Sequence, residues 1–240
     1  MTAGRSNQKS AFTLVELLTV IAVIAVLAAF LIPTINSVGR KVKISRAQAE
    51  LEQIETALEN YKAKYGSYPP GSANGVLLNQ LYYELGGVNT NGSSGATINY
   101  QTLDGAYSIS GVNAATVFGV GGFINCTKGS GEDAVQARDF LSGLKSSQVV
   151  AATNTAVSTL IPYLVTSVGG PDTTYQPAYG LQGNPIRYLY PGTNNPGSYD
   201  LWIQLSIGTS INFTTHTTNY NMYLVCNWSQ QPLHNVLSVP

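Results

Sequence analysis

From Leu17 to Ile32 every side chain is apolar except Thr19, and with Phe12 to Val15 added the run reaches the ~20 residues that a helix needs to cross a bilayer. A helix packed on the core of a soluble domain carries a polar stripe, and none exists between Val20 and Ile32. Glu16 is the exception that must be explained, because a carboxylate in such a run is costly unless it is neutralised, paired or held at the interface. The leader before Phe12 contains Arg5, Lys9 and small polar residues. A cut between Ala11 and Phe12 would create an α-amine shortly before Glu16, and the amine of a neighbouring copy could neutralise that acid in a helical stack. An ordinary secretory signal would instead be cut after the apolar region, near Ala28-Ala29, and Glu16 inside that region argues against it.

The run Lys9-Ser-Ala-Phe-Thr-Leu-Val-Glu-Leu-Leu resembles the class III leader of type IV pilins and the related pseudopilins. The resemblance implies cleavage between Ala11 and Phe12 by a prepilin peptidase, N-methylation of Phe12, and Glu16 as the acid that docks each subunit into a filament. It also implies a helix kink at Pro33. One departure is Ala11, where the family usually has Gly. The partners implied are copies of the same chain and other pseudopilins, the peptidase, the membrane, and an inner-membrane platform with its ATPase; the chain carries no nucleotide motif of its own. The location implied is the bacterial inner membrane, single-pass, with the short N-terminus in the cytoplasm and the head in the periplasm.

Charge supports part of this picture and opposes part. Only 10% of residues are charged and the net charge is zero, so there is no basic field for nucleic acid. Arg5 and Lys9 precede the apolar run, whereas Arg40, Lys41, Lys43 and Arg46 follow it, so the positive-inside rule alone would leave the C-terminal part in the cytoplasm. The leader resemblance reverses that orientation, and the Tyr-, Asn-, Thr-, Ser- and Gly-rich composition after Tyr65 agrees with an extracytoplasmic domain. Cys126 and Cys226 could pair there, closing a long loop worth about 4–5 kcal/mol in the chain-entropy model, or stand as two buried thiols. Nothing has the spacing of a zinc site.

Beyond Pro33, residues Ile44, Ala47, Leu51, Ile54, Leu58, Tyr61 and Tyr65 recur at spacings of three and four, one stripe along a continuing helix, with Arg46, Glu50, Glu55, Glu59 and Lys62 on its other faces. The chain thus divides into a leader (1–11), an apolar helix (12–33), its amphipathic continuation (34–65) and a head (66–240). Gly66 and Pro69-Pro70 end the helix. Ala57-Leu58, Tyr61, Gly66 and Tyr68-Pro69 resemble the close of the long helix in the major pseudopilin of type II secretion systems. Val76 to Leu85 predicts a short helix, Gly86 to Gly95 a loop, and 96–125 short strands or irregular loops that the sequence does not divide; Gly119 to Gly122 reads as a flexible turn. The spacing of Ala134, Ala137, Leu141 and Leu144 predicts a helix over 132–144, and Thr155 to Ile161 a second one stopped by Pro162.

Gly183 to Trp202 reads as two strands about a Pro/Gly/Asn turn, and its Gly183, Pro185, Tyr188, Pro191-Gly192 and Tyr199-Asp200-Leu201 are similar to the hairpin of the major pseudopilin. Between these two regions, 73–181 is longer than the resemblance leads one to expect, an insertion; 182–240 forms the C-terminal sheet region, with Val225 to Trp228 as its last strand. The family's calcium loop is acidic, yet Ile203 to Asn221 contains no Asp or Glu, which puts that site in doubt here; no cofactor or metal is expected. The fold class that follows is α+β, a long N-terminal helix packed on a small antiparallel sheet with an enlarged loop and helix insertion.

Catalysis would need a base, a nucleophile and an orienting acid that converge. His216 and His234 lie in polar, loop-like sequence, and the head's acids (Glu84, Asp104, Glu132, Asp133, Asp139, Asp172, Asp200) are scattered. The expected function is therefore not enzymatic: a pseudopilin filament subunit of a type II secretion-like system. The alternatives are a type IV pilin or minor pilin for adhesion, motility or DNA uptake, and, less favoured, a membrane-anchored periplasmic enzyme or binding module.

Overall fold

The computed structural model describes the backbone of residues 13–77, 79–91, 98–128, 135–168, 183–212 and 217–234, and their side chains except for those of 29–37 and 208–221. It divides into two units, Met1–Val42 and Lys43–Pro240.

In the first unit the element is the N-terminal part of α1, a helix that as a whole runs Leu14–Tyr65. Backbone geometry is helical on both sides of Pro33. Every described side chain from Leu14 to Ala28 is exposed, on all faces. Among the described residues no helix is long and apolar enough to cross a membrane.

The second unit contains the rest of α1 and an α+β head. Its order is α2 (Leu81–Gly86), β1 (Val88–Asn91), β2 (Asn99–Thr102), β3 (Ser108–Ser110), α3 (Gly111–Phe118), β4 (Val149–Asn154), β5 (Thr159–Thr166), β6 (Asn184–Pro185), β7 (Arg187–Leu189), β8 (Asp200–Asn212), β9 (Thr217–Cys226) and β10 (Leu233–His234). Among the described residues these strands form three antiparallel sheets, ordered β1-β2-β3, β4-β5-β6 and β10-β9-β8-β7. The β7–β8 hairpin pairs Leu189 with Asp200 and Arg187 with Trp202, so the Pro/Gly/Asn segment between them is the turn that its composition predicts.

The stripe on α1 is its buried face. Ala47, Leu51, Ile54, Leu58 and Tyr61 are buried against Leu201, Ile203, Leu205, Val225 and Leu164, while Ile44 and Tyr65 pack on the margin of the same cluster. A second cluster centres on Tyr83, Phe118, Phe123 and Tyr163, where the Tyr83 and Phe123 rings stack at 4.8 Å. Gly119 ends α3 with φ +71, and a Cβ there would stand 2.6 Å from that of Ala73, so both conformation and space call for glycine.

Several expectations are corrected here. Residues 135–144 are not helical: Lys128 and Val135 form a bridge, and the strap that follows is held from outside, Arg138 N–H donating to Asn125 Oδ1 and Phe140 N–H to Leu85 O. Residues 129–134 lie outside the described residues. The helix expected over Thr155–Ile161 is instead the β4–β5 turn and the start of β5, with Pro162 inside the strand opposite Ala151. In the expected loop 86–95, Val88–Asn91 is a strand, and α2 begins at Leu81 rather than Val76. The last strand expected at Val225–Trp228 is instead the end of β9, which stops at Cys226; Asn227 and Trp228 are in a turn, and β10 follows at Leu233–His234. Of the two states that the sequence leaves open for Cys126 and Cys226, the structure has the buried thiols, the first in the Tyr83 cluster and the second beside Trp202 and Leu224.

Candidate functional site

At the start of α1, Thr13 is the first described residue and the helix begins at Leu14. Thr13 N–H donates to Glu16 Oε2 at 2.8 Å, the Thr13 hydroxyl donates to the same oxygen at 2.8 Å, and Glu16 N–H donates back to Thr13 Oγ1 at 3.2 Å. These reciprocal bonds form a capping box, which satisfies backbone donors that a helix start leaves open. The acid is thus folded back over the first turn, and its negative charge sits where the helix dipole favours it. Thr19, the other polar residue of the run, donates its hydroxyl to Glu16 O at 2.9 Å. Both polar side chains are therefore absorbed within two turns, leaving an apolar surface around them: Leu14 is 78% exposed and Leu27 58%. The Thr-x-x-Glu spacing is the sequence signal for this cap.

Ala11 and Phe12, the expected cleavage and methylation residues, lie outside the described residues, as do Glu132, Asp133, Asp172 and His216. For Pro33 the backbone alone is described.

Three acids of the second unit, Glu50, Glu84 and Asp200, hold parts of the fold together. Glu50, expected on an outer face, is 8% exposed and accepts from the Thr166 hydroxyl at 2.6 Å, from Ser167 N–H at 2.9 Å and from the Ser167 hydroxyl, with Arg46 Nε at 3.4 Å. Burial pushes its carboxyl up, but the Ser167 and Thr166 donors and Arg46 outweigh it and hold the group below the ordinary value. Glu84, fully buried, accepts from Tyr61 Oη at 2.8 Å, Ile124 N at 3.0 Å and Asn125 N at 3.1 Å; here burial prevails and raises its pKa. Asp200 closes the β7–β8 turn by accepting from the backbone N–H groups of Thr193, Asn194 and Asn195. His234 lies against the Tyr223 ring, at 4.8 Å. Among the described residues no group of three His, Cys, Asp or Glu could hold a metal ion.

A family model falls on the same end of the chain. The prokaryotic N-terminal methylation motif matches residues 6–32. The chain is similar to the type II secretion system core protein G of Pseudomonas aeruginosa, 34% identical over 63 residues, which is 26% of this chain and 44% of that protein. It is also similar to the fimbrial protein EcpB of Eikenella corrodens, 37% identical over 89 residues, 36% of this chain and 55% of that protein. The chain thus spans about half the length of these relatives. No solved structure matches.

Proposed function

Since its N-terminal segment places this chain in the type IV pilin and pseudopilin family, we propose that it is a filament subunit of a type II secretion-like system, anchored by one membrane pass with its head in the periplasm. The observation that carries the reading is a helix apolar on every described face, opened by the Thr13–Glu16 cap, inside a matched methylation motif. In this reading a peptidase cuts before Phe12 and methylates it, and Glu16 receives the new amine of a neighbouring subunit. Pro33 loosens the helix where it leaves the bilayer. The head packs on the amphipathic stretch, 73–181 gives the subunit its own surface, and other pseudopilins, the platform and its ATPase complete the assembly. The role calls for no catalysis and no cofactor.

The similarity to a fimbrial protein favours a second reading, a pilin or minor pilin of a surface fibre. Intact mass and N-terminal sequencing of the mature protein from its native membrane test the shared premise. N-methylated Phe12 at the start is the expected result; a start at Met1 or near Ala29 would overturn both readings. Electron microscopy of sheared filaments then separates a short periplasmic assembly from a surface fibre.

A further inference from the structure

A groove of about 400 Å³ opens on the head within the segment 82–149. Its apolar lining includes Tyr82, Tyr107, Leu141 and Leu144, with the two tyrosine rings edge-to-face at 5.8 Å. Asp104, Asp139 and Lys145 also line it, two negative charges against one positive. Asp104 is built in: it accepts from the Thr102 hydroxyl at 2.5 Å, from Ala106 N–H at 3.0 Å and from the Tyr82 hydroxyl at 2.9 Å. Burial raises its pKa, but these donors overcome that and hold the group below the ordinary carboxylate value, so it stays ionised at neutral pH. A site of this size, mostly apolar with a fixed charge, suits an apolar ligand bearing a cation.

The chain itself carries such a group. Val38, Lys41 and Val42 stand at i, i+3 and i+4 on α1 and so share one face. Val38 is 58% exposed, Val42 is 61% exposed and Lys41 is exposed. An apolar–cation–apolar helix face is the pattern read by helix-in-groove recognition.

We propose that the groove of one subunit receives the Val38–Lys41–Val42 face of α1 from a second copy, the valines against Leu141 and Leu144 and the Lys41 ammonium between the tyrosines and Asp104 and Asp139. This rests on the filament reading above and supplies a head-to-neck contact for it.

The test uses the full chain in its native membrane. Val42→Cys and Ser146→Cys, with the two native thiols buried, should give cross-linked oligomers under mild oxidation only when both substitutions are present. Lys41→Glu should reduce the cross-linked fraction about tenfold, the worth of a partly desolvated ion pair, and adding Asp139→Lys should restore it. Filaments that form with neither cross-link nor charge dependence would overturn the groove contact and leave the filament reading intact. Absence of wild-type filaments would overturn both. A Lys41→Glu defect in membrane retention that Asp139→Lys does not repair would assign Lys41 to anionic lipid headgroups and overturn the proposal.

Discussion

Replacing Glu84 with Leu should destabilise the head strongly. The side chain is fully buried, so the substitution strands the Tyr61 hydroxyl and the N–H groups of Ile124 and Asn125 without water to replace the lost acceptor. At about 1–3 kcal/mol per orphaned donor the gross loss is about 3–9 kcal/mol. Relief of the carboxyl's own desolvation and the apolar contacts of Leu offset part of it, leaving about 2–5 kcal/mol. For a chain of this size that is a fall in melting temperature of roughly 4–20 °C, readable by near-ultraviolet circular dichroism of the full-length protein in neutral detergent. Tyr61→Phe removes one of the stranded donors, so Tyr61→Phe with Glu84→Leu should cost about 1–2 kcal/mol less than the sum of the single changes. A fall below about 2 °C for Glu84→Leu, or additive effects in the pair, would refute the argument by showing that water reaches these donors. The pH dependence has a definite sign. Because folding raises the pKa of Glu84, the native state holds its proton more tightly, and this group's contribution to stability falls as pH rises from the ordinary 4.5 through the folded value. Glu84→Gln should remove that slope.

Three further outcomes test other parts of the structure. Glu50 has the opposite linkage: its pKa is lowered in the fold, so its contribution is present above the ordinary 4.5 and is lost as pH falls through the folded value, and acid titrations of Glu50→Gln should lack that loss. Thr13→Ala removes both side-chain bonds that Thr13 makes in the cap, at about 1 kcal/mol of helix stability; filament yield should fall less than with Glu16→Leu, and equal yields for Glu16→Leu and wild type would remove the docking role of the acid. Burial pushes both thiols up and keeps them covered, so the folded protein should react slowly with a thiol reagent and the unfolded protein at two sites; a mass two hydrogens lighter than the dithiol form would overturn the free state of Cys126 and Cys226.

What was legible in the sequence is what depends on near neighbours along the chain. The stripe from Ile44 to Tyr65 follows from helical periodicity alone, and its buried members are the ones that the spacing selects. The β7–β8 hairpin was readable for the same reason, since its turn carries its own Pro, Gly and Asn and is closed locally by Asp200. Glu50 and Glu84 were illegible because their environment comes from far away, from Thr166 and Ser167 in one case and from Ile124 and Asn125 in the other. The strap 135–144 shows how the two levels compete. Ala137, Leu141 and Leu144 have helical spacing, yet Arg138 N–H is taken by Asn125 and Phe140 N–H by Leu85 O, so two of the donors that a helix would use are spent on tertiary partners. Asn125 is the pivot of that outcome: its side chain also donates to Glu84 O and Arg138 O, and its own N–H goes to the Glu84 carboxyl. One buried acid therefore organises the turn that pins the strap, and the strap in turn brings Leu141 and Leu144 to the groove beside Tyr82. If this chain of dependence holds, loss of Glu84 should abolish cross-linking at the groove while leaving the Thr13–Glu16 cap, which lies in the other unit, unaffected.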